Sequence, residues 1–113
     1  MITFERTIID SNTVVFSGIE DESVIGKCTL RISVPYADVC SLTCFDNKTY
    51  IIEGLIKSAL YYASQKGCYI GRCNCEGFEG FVEKINFIKS ENGYENDIPT
   101  ILMGSCSGCK NNI

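Results

Sequence analysis

Residues 44–87, CFDNKTYIIEGLIKSALYYASQKGCYIGRCNCEGFEGFVEKINF, decide the fold. Asp46 and Asn47 are good N-cap types, and after them apolar side chains recur at Ile51, Ile52, Leu55, Ile56, Ala59, Leu60 and Ala63. That spacing is one face of an α-helix. Gly67 follows as the stop, because a helix often ends in a left-handed residue that glycine adopts without a Cβ clash. Glu53, Lys57, Tyr61 and Ser64 fall on the opposite face, which reads as solvated surface. Cys68 to Cys73 then reads as a strand. A helix between two strands predicts that this strand runs parallel to the one before Asp46, since a parallel connection needs such a crossover. A shorter helix from about Phe78 to Ile85 closes on Glu83-Lys84-Ile85-Asn86-Phe87.

Outward toward the N-terminus the chain changes character. Ile2 to Ile9 and Thr13 to Ile19 are rich in β-branched and aromatic residues, and Asp10-Ser11-Asn12 between them is a turn. Glu20 to Ser23 is a second turn, leading into a strand from Val24 to Val34. Pro35 cannot donate to a sheet ladder and ends that strand, and Val39 to Phe45 forms the fourth. Beyond Phe87 come Phe87-Ile88-Lys89, a turn at Glu91-Asn92-Gly93 and a last apolar segment around Ile98 to Met103. The expectation is one α+β domain over residues 1–113, with a mixed, mostly antiparallel sheet: a β-meander, then strand, helix, strand, helix. A short cysteine-containing tail of about residues 104–113 ends it.

Ten Lys and Arg against fourteen Asp and Glu give a net charge of −4, with no basic cluster to neutralise successive phosphates, so nucleic acid is not expected as a partner. No apolar run reaches the roughly 18 residues a membrane helix needs, and the first twelve residues lack a signal-peptide pattern. The expected location is the cytosol. There the eight cysteines are thiols or metal ligands rather than disulfides. Histidine is absent, so any metal site must be built from thiolates and carboxylates.

The order of elements resembles the GNAT superfamily of acyl-CoA-dependent N-acetyltransferases over about Val14 to Ile98. The residues that carry the resemblance are the helix Gly54 to Lys66 with its stop at Gly67, the following strand, and Glu83-Lys84-Ile85-Asn86-Phe87. It implies acetyl-CoA as cofactor, gripped by a loop of pattern Arg/Gln-x-x-Gly-x-Gly/Ala whose bare N–H groups face the pyrophosphate. Counted back from Gly67, that loop falls on Asn47 to Ile52, with Lys48, Thr49 and Tyr50 as the cofactor-binding candidates. Tyr50 and Ile52 stand where the family has its small residues, and side chains there predict no heat of coenzyme binding.

The family's tyrosine acid, which protonates the departing thiolate just before the Glu-Lys signature, is matched by Val82 with Phe81 beside it, and neither donates a proton. The family's first two helices also have no counterpart. Their loss would bare an apolar sheet face, which predicts a homodimer covering that face or joining strand edges.

Cys106-Ser107-Gly108-Cys109 has zinc-knuckle spacing, and Cys73-Asn74-Cys75 sends two side chains to one side of a strand end. Cys73, Cys75, Cys106 and Cys109 form a candidate four-thiolate zinc or iron site, and Cys106 with Cys109 a candidate redox dithiol. Cys28, Cys40, Cys44 and Cys68 read as small apolar residues, with Cys40 and Cys44 on the core face. Glu76 and Glu79 are candidate bases, also explained by a helix dipole. Three functions stay open: a non-catalytic binding or assembly module on an acetyltransferase-like fold, a weak acyl-CoA-dependent N-acyltransferase, and a thiolate metal protein.

Overall fold

The computed structural model describes residues 2–45, 48–91 and 93–104. Four strands come first: β1 (Ile2–Ile8), β2 (Thr13–Glu20), β3 (Ser23–Ser33) and β4 (Tyr36–Cys44). Then follow α1 (Thr49–Gln65), β5 (Ile70–Cys73), α2 (Glu79–Lys84), β6 (Ile88–Ser90), β7 (Gly93–Asp97) and α3 (Ile98–Met103). They build one seven-stranded sheet in the order β1-β2-β3-β4-β5-β7-β6. The β4–β5 pair alone is parallel, as a crossover helix between them requires. Only a few residues join β1 to β2, so no helices stand there. Among the described residues no helix is long and apolar enough to cross a membrane.

The core lies between the sheet and α1. Ile51, Ile52, Leu55, Ile56, Ala59, Leu60 and Ala63 are all buried, the seven positions picked out by helical spacing. They meet Val14, Phe16, Cys28, Leu30, Val39 and Leu42 from the strands. α1 ends in a Schellman motif: the Cys68 N–H donates to the Ala63 carbonyl at 3.0 Å, the Gly67 N–H donates to Ser64 at 3.3 Å, and Gly67 has φ +99°. Its start differs from expectation. The N-cap is Lys48, without a side-chain cap, and Asp46 and Asn47 lie outside the described residues.

The sheet face away from α1 is polar, which corrects the expectation of an apolar one. Strand register aligns Glu5, Ser17, Lys27 and Thr43 in one row and Arg31, Asp38, Arg72 and Glu95 in another. Arg72 donates two hydrogen bonds to the Asp38 carboxylate, at 2.7 and 3.1 Å, and its guanidinium lies 4.0 Å from the Tyr36 ring centroid. The strand sequences alternate, so the face left uncovered already carries groups that water can solvate.

Candidate functional site

β4 and β5 run side by side only from Tyr36↔Ile70 to Val39↔Cys73. Beyond that pair β5 has ended, while β4 continues to Cys44 with β3 as its one neighbouring strand among the described residues. Two local features part them. Thr29 pairs with Ser41 and Leu30 with Val39, so Cys40 is the extra residue of a β-bulge. On the other side the chain leaves the sheet at Asn74 and Cys75. The resulting cleft, about 600 Å³, is lined by Cys40, Leu42 and Thr43 of β4 and by Asn74, Cys75 and Glu76 opposite. A smaller cavity of about 250 Å³ adjoins it at Cys40 and Asn74.

The bulge also corrects the placement of Cys40. Strict alternation put it on the core face with Cys44, but one inserted residue reverses the alternation, leaving Cys44 buried and Cys40 exposed. Cys28 and Cys68 are buried as small apolar residues. Burial pushes the Cys28 thiol far above its ordinary range, which keeps it inert.

α1 begins just beyond the end of β4, and the Cys44 thiol approaches the Lys48 carbonyl at 4.0 Å. The N–H groups of Ile51 and Ile52 both donate to that carbonyl. Lys48 is the N-cap of α1, and Thr49 and Tyr50 are exposed in its first turn. Ile52 follows the helical spacing rather than the loop alignment. Its side chain is 4% exposed and packs into the core, so it does not obstruct the approach to the helix start, whereas Tyr50 remains half exposed.

The residues that the resemblance sets at the acid's position are apolar and covered. Val82 on α2 is buried, and Phe81 is partly buried against the core. A nearby hydroxyl escaped the sequence reading: Tyr94 on β7 donates to the Glu83 carboxylate at 3.2 Å and is the ladder partner of Cys73. Desolvation first, and then Glu83, raise its pKa. No motif flagged Tyr94, because it lies in the polar run Gly93 to Asp97, which carries no strand pattern.

Cys75 lines the cleft, and buried Cys73 lines the smaller cavity beside it. Cys106 and Cys109 lie outside the described residues, so the structure does not bring the four candidate metal ligands together. Among the described residues no group of three or more Cys, Asp or Glu is placed to hold a metal ion.

The fold has solved counterparts. YhhK from E. coli, in a structure with coenzyme A, superposes with a TM-score of 0.65 at 14% identity, over 80% of this chain and 75% of that one. PaiA N-acetyltransferase from Thermoplasma acidophilum, also in complex with coenzyme A, gives 0.67 at 18% identity, over 76% of this chain and 61% of that one. An N-acetyltransferase from Staphylococcus aureus gives 0.61 at 20% identity, covering 77% and 69%. No protein-family model matches the sequence, and no curated protein does. The chain has the GNAT N-acetyltransferase fold, without the two helices expected after the first strand.

Proposed function

We propose that the protein is a non-catalytic binding module on the acetyltransferase fold, which holds a coenzyme A-type ligand in the cleft where β4 and β5 part. The observation that carries this reading is the free edge of β4. Among the described residues its backbone from Cys40 to Cys44 is paired on the β3 side only, and the opposite edge faces an open cleft. An extended ligand bearing amides can add to such an edge as a strand would, and a pantetheine arm has two amides. Two structures of the same fold contain coenzyme A. The inward turn of Ile52 removes half of the steric objection drawn from the sequence. Acyl transfer fits less well, because hydrocarbon occupies the position from which the family's tyrosine would protonate the departing thiolate.

Six described cysteines are free thiols, in keeping with action in the cytosol. The strand edges also support a proposed homodimer: β1 is a seven-residue edge strand, exposed along most of its length.

Calorimetric titration with coenzyme A and with acetyl-CoA tests the ligand, and release of free thiol from acetyl-CoA with a panel of amines tests the chemistry. Binding of both ligands in the micromolar range without thiol release is the expected outcome. Absence of heat overturns the ligand assignment, and steady amine-dependent thiol release overturns the non-catalytic one.

A further inference from the structure

A groove separates β1 from α1 on the core side of the sheet. Strand register sets Phe4 opposite Gly18 and Arg6 opposite buried Phe16, so the side chains of Phe4 and Arg6 point toward α1 rather than to the polar face. The Phe4 ring rests on the helix backbone at Gly54, where an added Cβ would collide with it. That contact fixes the ring as one wall. Across from it Ser58, Tyr61, Tyr62 and Gln65, spaced three and four residues apart, present one stripe of the helix. The space between is about 570 Å³, and Phe16 at its base meets Tyr62 edge to face, with ring centroids 5.9 Å apart.

Two cations converge on the Tyr62 ring. The Arg6 guanidinium carbon lies 4.7 Å from its centroid and the Lys66 Nζ lies 5.3 Å from it. Lys57 and Arg72 have carboxylate partners, whereas among the described residues Arg6 and Lys66 have none. Glu5 does not supply one, because it follows the alternation of β1 to the opposite face, in the row with Ser17 and Lys27. A guanidinium that lies over a ring uses its flat face there and keeps its N–H edge for a planar acceptor with two oxygens. In a chain of net charge −4, this groove therefore combines aromatic walls with two exposed positive charges that lack an anion.

We propose that the groove binds small aromatic carboxylates. The flat apolar ring lies against Phe4, Tyr61 and Tyr62, and the carboxylate accepts from the edge of the Arg6 guanidinium with Lys66 beside it. Ring contacts of this kind favour offset or edge-to-face stacking, which the two tyrosines and Phe4 offer from different directions. The groove shares no lining residue with the cleft beside β4, so this site and the coenzyme A reading can fail separately.

The test titrates the full chain with β-naphthoate and follows backbone amide shifts by NMR, with neutral β-naphthylmethanol and ring-free acetate as comparison probes. Naphthoate is expected to bind at least about tenfold more tightly than either, because only it engages both the cations and the rings. The largest shifts are expected at Phe4, Arg6, Tyr61 and Tyr62. Arg6 is exposed, so Arg6→Gln leaves the core as it is. It is expected to weaken naphthoate at least about tenfold and to leave the alcohol within about twofold, a split that a general loss of structure would not produce. Equal affinity for naphthoate and the alcohol overturns the proposal, as does the absence of saturable shifts, shifts centred elsewhere on the molecule, or an Arg6→Gln protein that keeps full affinity for naphthoate. The comparison of the three probes on the unmodified protein decides the matter by itself should the variant fail to fold.

Discussion

At the residue scale, single side chains decide what the cleft region can do. Val82, at the position the family resemblance gives to an acid, is buried hydrocarbon, and Cys40 turns outward because one residue was inserted into β4. Gly71 shows how closely the elements meet. A Cβ built there would lie 3.1 Å from Ile101 Cδ1 and 3.2 Å from both terminal carbons of Leu60, where α1, β5 and α3 converge. Gly71→Ala is therefore expected to destabilise the protein by about 1–3 kcal/mol through overpacking. Urea denaturation reads this as a lower midpoint at unchanged slope, and an unchanged midpoint would mean that Leu60 and Ile101 can move aside. Val82 was legible because its place relative to the Glu83 to Phe87 signature could be counted. The exposure of Cys40 was not, because a bulge is set by pairing with β3 and leaves no mark in the β4 sequence itself.

At the element scale, the long helix follows from apolar spacing, whereas the short C-terminal elements depend on their neighbours. β7 has the sequence Gly-Tyr-Glu-Asn-Asp, with no apolar alternation, and becomes a strand because β5 and β6 flank it and pair with it. α3 follows at once, with Pro99 in its first turn and Asp97 as its N-cap. The Asp97 carboxylate accepts from the Thr100 N–H at 2.9 Å, and hydrogen bonds from Thr100 hold its pKa below the ordinary carboxylate value. A carboxyl depressed in the folded state contributes stability that is present above its unfolded pKa and lost as pH falls through the folded value. The thermal midpoint is accordingly expected to drop as the pH is lowered beneath about 4. Asp97→Asn keeps an acceptor oxygen but cannot be protonated there, and should flatten this part of the profile. Identical acid profiles for the two proteins would show that the cap contributes nothing measurable.

At the scale of the whole molecule, the described residues form a sheet covered by helices on one side and open on the other. The open side is built of rows such as Glu5, Ser17, Lys27 and Thr43, so covering it would release little hydrophobic free energy. Any homodimer is therefore better served by the outer edge of β1, which pairs with no other strand among the described residues. Light scattering at micromolar concentration is expected to give the mass of two chains. The mass of one chain would remove the dimer.

The sequence by itself determined the meander, the position and inward face of α1, its stop at Gly67 and the parallel crossover into β5. All of these are local periodicities and turn chemistries that need no distant partner. Only the tertiary structure decided that β4 and β5 separate after Val39 and Cys73, that Cys40 faces outward, and that Cys73 and Cys75 bracket one residue of β4. Those features come from strand register and bulge placement, which are properties of pairs of segments far apart in the chain.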